Sequence, residues 1–204
     1  RRIIVSSPRV WTLHGRRFRL AGAGRTPVLV DDGERNKNLA TVSRVHDALV
    51  KARADRSTVV VAVGGGVIGD LVGFAAATYL RGIRIVHIPT TLLAQVDSAI
   101  GGKTGVNHPL GKNLIGAFHA PSLVVADPGV LGTLPRREFR AGLYEVIKYG
   151  VIAEPALLDL LRTTLPAIFA RRPGAVAPLV AASCRIKAEV VSADEREAGL
   201  RTHE

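Results

Sequence analysis

Three groups of residues have the types and spacing that chemistry needs. The first is Gly64-Gly65-Gly66-Val67-Ile68-Gly69-Asp70, directly after the apolar run Val59 to Val63. Gly64, Gly66 and Gly69 satisfy the spacing of the dinucleotide-binding fingerprint in its strand, turn, helix context. Without Cβ atoms there, a pyrophosphate can lie against backbone N–H groups at the positive end of a helix. A tight strand-to-helix turn needs the same glycines, so the motif alone is weak. The acid that should hold the adenine ribose about 20 residues further on is missing, since positions 84 to 92 carry none. The ribose contact is expected from Asp32 or Glu34 instead.

The second group runs from Pro89-Thr90-Thr91 through Asp97 and Gly101-Gly102-Lys103-Thr104-Gly105-Val106-Asn107, with Lys112-Asn113 following between Gly111 and Leu114-Ile115-Gly116. Ammonium, amide and glycine N–H groups in one segment suit a phosphate. Gly102-Lys103-Thr104 matches the end of a P-loop, but Asp97 stands where that pattern needs its first glycine, which excludes a nucleoside triphosphatase. A solvated loop with unrelated charges explains poorly why small and apolar residues enclose each charge. The third group is helical. Glu145 and Lys148, three apart, share a face, and Val146, Ile147 and Tyr149 leave that helix little polar surface. A solvated ion pair has the same spacing. Lys187 lies three or four places from Cys184, Val190 and Val191. An anionic ligand would partner it, and a snorkelling stem fits the spacing equally well.

Composition narrows the ligand. The 204 residues carry a net charge of +11, yet only six are Lys and the remaining basic residues are Arg. Lys103, Lys112, Lys148 and Lys187 all fall inside these groups, placing compact point charges where a site needs them. The basic residues are otherwise dispersed and aromatics are scarce, which argues against nucleic acid and for a small anionic substrate. Every apolar run is interrupted before membrane-span length. The chain begins like a strand under way, with no starting Met and no signal-peptide pattern. One cysteine, Cys184, excludes an internal disulfide framework and fits a reducing cytoplasm.

The elements that position these groups alternate. Strands are expected at Ile3–Ser7, Pro27–Val30, Thr58–Val63, Ile83–Ile88 and Leu123–Ala126, with helices over Leu39–Ala54 and Asp70–Leu80. Runs of β-branched residues mark strands buried on both faces. The fold class is therefore α/β, a Rossmann-like, mostly parallel sheet with helices on both faces. From Arg136 onward the pattern is purely helical, punctuated by Pro155, Pro166 and Pro173-Gly174. This gives an α/β domain over residues 1–134 and an incomplete all-helical domain over 135–204.

From Gly64 onward the chain resembles the 3-dehydroquinate synthases. The likeness is carried by GGGVIGD, AAATYLRG, PTTLLAQVDSAIGGKTGVNHPLGKNLIGAF, TLPRREFRAGLYEVIKYG and CRIKAEVVSADEREAGLR, and covers nearly all of the chain. Gly33-Glu34-Arg35-Asn36-Lys37 resembles the family's GE-x-x-K element. The resemblance implies a cytoplasmic lyase of aromatic biosynthesis that uses NAD and a divalent metal, zinc or cobalt. NAD is held in the family by positions matching Glu34, Lys37, Gly65, Gly66, Asp70, Thr90, Thr91, Lys112 and Thr133. The substrate phosphate is held by those matching Lys103, Asn113 and Lys148, substrate hydroxyls by Asp97, and the carboxylate end by Lys187 and Arg201. Glu145 matches a zinc ligand and Glu197 another site residue. Arg81 matches an arginine that reaches the neighbouring subunit's site, which implies a homodimer. The implied reaction oxidises an alcohol of a seven-carbon sugar-acid phosphate, eliminates phosphate, returns the hydride and closes the ring by an aldol step.

The chain departs from that pattern in two places. The family continues past Arg201 into two histidine elements that complete the zinc site, whereas here the sequence reads Arg201-Thr202-His203-Glu204. His203 falls too early to be a ligand, and His14, His46, His87, His108 and His119 are read as surface or loop residues. The chain is thus expected to be a fragment that binds NAD but holds zinc weakly. The family often has Asp where Ser6-Ser7 closes the first strand. Three other readings stand beside this one: a sister cyclase making an inosose or amino-quinate, an iron-dependent polyol dehydrogenase, and a non-catalytic NAD-binding module.

Overall fold

The computed structural model describes residues 1–18 and 26–194. In chain order it has β1 (Arg2–Ser6), α1 (Pro8–His14), β2 (Val28–Leu29), α2 (Leu39–Lys51), β3 (Val59–Gly64), α3 (Gly66–Thr78), β4 (Arg84–Pro89), β5 (Lys103–His108), β6 (Gly111–Phe118), β7 (Leu123–Val124), α4 (Arg136–Ile152), α5 (Ala156–Phe169) and α6 (Pro173–Ala193). The five expected strands form one parallel sheet in the order β2-β1-β3-β4-β7. None of the helices described is long and apolar enough to cross a membrane.

The β-branched runs are explained by burial on both faces. Ile3 pairs with Val60 and Val60 with Ile85, and together with Val5 and Ala62 they pack against Val42, Val45 and Leu49 of α2 and Ile68, Leu71 and Val72 of α3. Alternate residues point the other way. Ile4, Val61, Val63 and Ile88 pack against Phe139, Leu143 and Val146 of α4 and against Leu161, Ile168, Leu179 and Ile186 of α5 and α6. The helical segment therefore supplies one of the two layers that cover the sheet.

Several local outcomes differ from the sequence expectations. α1 was not anticipated, although Ser7 caps it by accepting from Val10 N and Pro8 opens it, a standard start signal. Ser6 Oγ donates to Val63 O at 2.8 Å, so both serines at this position serve the backbone. α3 begins at Gly66, four residues earlier than its apolar spacing indicated, because the glycine loop is itself the first turn. Pro166 does not end α5, which runs on to Phe169 although proline removes one i→i−4 hydrogen bond there. The threonine–lysine block is a one-turn π-helix, Ala94–Ser98, followed by the antiparallel hairpin β5–β6. That hairpin lies on α3 at Gly73, where a Cβ would collide with Thr104 Cγ2.

Candidate active site

A cleft of about 890 Å³ opens at the carboxyl ends of the parallel strands, the place where open α/β sheets bind ligands. Each strand end delivers part of its wall. The segment after β2 gives Asp32, Glu34 and Lys37; the β3–α3 junction gives Gly65, with Gly66 and Asp70 from the start of α3; the segment after β4 gives Thr90 and Thr91; Thr133 closes the far side. Eight of the nine positions expected to hold the cofactor thus meet in one cleft. Lys112 is the exception, exposed on β6 and outside the lining. The glycine loop is close-fitting. A Cβ on Gly65 would stand 2.8 Å from Thr91 Cγ2, and one on Gly66 would stand 3.1 Å from Ser98 Oγ.

The polar groups are paired across the cleft. Lys37 is buried, and its Nζ donates to Asp70 Oδ2 at 2.5 Å and to Asn113 Oδ1 at 2.6 Å. Burial pushes the Asp70 carboxyl above its usual range; Lys37 opposes this, and repulsion from Glu34 and Asp97 adds to it. Asp97 sits in the π-helix, a distortion often found at functional sites. Gln95 fixes that turn by donating to Pro89 O and Asp127 O. Lys187 Nζ then reaches Asp97 Oδ1 at 3.0 Å, and the Tyr149 hydroxyl donates to the same oxygen.

On α4, Lys148 forms an ion pair with Glu145 Oε2, off hydrogen-bond direction, with the Glu145 side chain 26% exposed. Glu145 is one hard oxygen donor and so fits a divalent cation as one ligand among several. Among the described residues no group of three His, Cys, Asp or Glu converges on a common metal position. Lys103 is exposed at the start of the hairpin. Arg81 lies beyond the far end of α3, roughly 20 Å along the helix from the glycine loop. Glu197 and Arg201 lie outside the described residues.

Two residues were missed. The reading of all five first-domain histidines as surface or loop groups is corrected for two of them: His14 and His87 are buried. His14 lines the cleft and bonds Thr133 Oγ1 through Nε2 at 2.9 Å. Burial first, then Arg17, holds its pKa below the usual value, against the pull of Asp127. Ser98 also lines the cleft, and its Oγ is buried without a protein partner. Its place beside Asp97 in the block was the signal that could have found it.

Residues 27–141 match the family described as 3-dehydroquinate synthase N-terminal, and residues 142–203 the family described as 3-dehydroquinate synthase C-terminal. The 3-dehydroquinate synthase of Halorhodospira halophila is 58% identical over 201 residues, covering 98% of this chain and 57% of that protein. The chain thus spans little more than half the length of the curated relatives it matches. Among solved structures, 2-epi-5-epi-valiolone synthase from Streptomyces hygroscopicus subsp. jinggangensis, with NAD+ and Zn2+ bound, superposes with a TM-score of 0.91 at 36% identity, over 98% of this chain and 57% of that one. A 2-deoxy-scyllo-inosose synthase complexed with carbaglucose-6-phosphate, NAD+ and Co2+ gives 0.66 at 36% identity, over 72% and 42%. With both family segments matched in order and this level of identity, the chain belongs to the 3-dehydroquinate synthase family.

Proposed function

We propose that the full-length protein is a 3-dehydroquinate synthase, converting 3-deoxy-D-arabino-heptulosonate 7-phosphate to 3-dehydroquinate and phosphate. One observation carries the reading: a cleft built on a glycine loop abuts, through Ser98, the π-turn whose Asp97 is paired with Lys187. A dinucleotide site beside a carboxylate–lysine pair is what an oxidation within a sugar-acid phosphate requires. The solved relatives, which hold NAD+ with Zn2+ or Co2+, support NAD and a divalent metal as the cofactors here.

In this reading residues 1–134 bind NAD and residues 135–204 begin the helical metal and substrate domain. Glu34, Lys37, Gly65, Gly66, Asp70, Thr90, Thr91, Lys112 and Thr133 hold the dinucleotide, with His14 orienting Thr133. When bound, NAD supplies a reversible hydride exchange and the metal polarises substrate oxygens. Lys103 and Lys148 neutralise the phosphate, and with Asn113 they fix its pose. Asp97 meets the hydroxyls, Lys187 and Arg201 the carboxylate, Glu145 contributes one metal ligand and Glu197 is a further site residue. The phosphate of the substrate itself accepts the proton in the elimination. Arg81, at the end of α3 remote from the cleft, serves a second subunit, which makes the active form a homodimer in the cytoplasm.

The test is turnover by the full-length protein with NAD and zinc. Release of phosphate from the heptulosonate phosphate, with formation of the cyclic acid, supports the proposal. Release only from a sugar phosphate lacking the carboxylate assigns the protein to a sister cyclase.

A further inference from the structure

We propose that Asn107 is a positioning residue that couples occupation of the cofactor cleft to phosphate binding at the hairpin. The inference rests on the assignments made above of Glu34, Lys37 and Asp70 to the cofactor and Asn113 to the phosphate.

The hairpin is not regular where it passes these groups. Val106 pairs with Ile115 and His108 with Gly111, so Asn107 alone faces Lys112, Asn113 and Leu114. A bulge of this kind releases backbone groups from the ladder and re-aims side chains. Here Asn107 N donates to Lys37 O at 2.8 Å rather than to the opposite strand. Its Nδ2 donates to Glu34 Oε1 at 2.8 Å and reaches Glu34 O at 3.3 Å. Its Oδ1 accepts from Asn113 N at 2.9 Å. The side-chain amide of Asn107 thus ties Glu34 to the backbone of Asn113, and its backbone N–H holds the Lys37 end of the same turn.

Asn113 is a position that needs such a hold. Its φ is +56°, in the left-handed region that a residue with a side chain adopts at a penalty. Its side chain is fixed from the opposite direction by Lys37 Nζ. Lysine only donates, so the atom facing it is Oδ1 and the Nδ2 hydrogens of Asn113 remain for an anion. Lys37 is simultaneously bound to Asp70 on the glycine-loop helix. Glu34, Asn107, Asn113, Lys37 and Asp70 thus form one connected network. A cofactor that draws on Glu34, Lys37 or Asp70 shifts the restraints on Asn113, and Asn107 is the link in that network that needs no contact with either ligand. Because binding linkage is reciprocal, phosphate must alter NAD affinity by the same factor.

Calorimetry on the full-length protein tests this, with NAD and inorganic phosphate as the probes. In the unaltered protein, saturating NAD should change phosphate affinity by roughly fivefold or more. In Asn107→Ala that ratio should fall toward one, the direct bond from Lys37 to Asn113 keeping a remainder, while NAD affinity measured alone changes far less. Asn107→Ser, too short to span Glu34 and Asn113, serves the same purpose if the alanine variant does not fold by circular dichroism. A ratio unchanged in the folded variant, or a ratio of one in the unaltered protein, overturns the coupling and leaves the cofactor assignment standing. Failure of the unaltered protein to bind NAD overturns the cofactor assignment and the coupling with it.

Discussion

Lys187 Nζ lies 3.0 Å from Asp97 Oδ1, joining the last helix of the described chain to the π-turn beside the cofactor cleft. The two side chains are 13% and 25% exposed, and Tyr149 donates to the same oxygen from α4. Truncating one member of such a pair leaves the other charge poorly solvated. Lys187→Met should therefore destabilise the fold by about 2 kcal/mol. The double variant Lys187→Met, Asp97→Asn should lose less than the sum of the single losses. Denaturant titrations of the four proteins check this, and strict additivity would show that the pair carries no coupling.

The glycine loop yields a second prediction. Gly66 has Ser98 Oγ 3.1 Å from where its Cβ would be, and the cleft lies on its open side. Gly66→Val puts two methyl groups into that space. NAD affinity should fall tenfold or more, about 1.4 kcal/mol, while the sheet core is untouched. Isothermal titration with NAD measures it, and unchanged affinity would remove the loop from the cofactor site.

His87 makes stability depend on pH. Its ring packs against α3 at Gly69 and Gly73, and burial, aided by His119, lowers its pKa from the ordinary 6.5 to about 4. Between those values the unfolded chain binds a proton there and the folded chain does not. The contribution is therefore complete above pH 6.5, is lost as pH falls toward 4, and amounts to about 3 kcal/mol. Asp70, whose carboxyl is raised, works in the opposite sense, losing stability as pH climbs above its ordinary 3.8. The His87 share is thus read as a difference: His87→Gln should flatten the stability curve between pH 4 and 6.5 relative to the unaltered chain. Parallel slopes would assign the acid sensitivity elsewhere.

The sheet was legible because burial on both faces leaves a plain signature, as in Val59 to Val63, and the cleft because glycine spacing and strand ends coincide. The same rule should have placed His87 inside, since Val86 and Ile88 flank it in a doubly buried run. The hairpin was hidden by its composition. Lys103, Lys112 and Asn113 are exposed on β5–β6 and interrupt the alternation that marks a strand. Its signal was the Pro109-Leu110-Gly111 turn between Thr104-Gly105-Val106 and Leu114-Ile115. The pairings of Lys37 with Asn113 and of Asp97 with Lys187 could not be read at all. They depend on how helices and hairpin dock, and no local pattern encodes that distance.

Glu145 separates a metal role from a structural one. Its carboxylate pairs with Lys148 one helical turn on, and both side chains retain some solvent contact. A partly exposed pair without hydrogen-bond geometry contributes little to folding, about 1 kcal/mol, so a purely structural Glu145 would tolerate replacement. As a metal ligand it would not, because a catalytic zinc site uses three protein ligands and loses much of its affinity with any one of them. Glu145→Gln keeps the shape and removes the charge. In the full-length protein it should lower bound zinc, read by elemental analysis after dialysis, by tenfold or more and turnover with it. NAD affinity should stay within about twofold, because Glu145 does not line the cofactor cleft. Stoichiometric zinc in the variant would end the metal assignment. Zinc lost together with NAD binding would point instead to a collapse of α4 against the sheet.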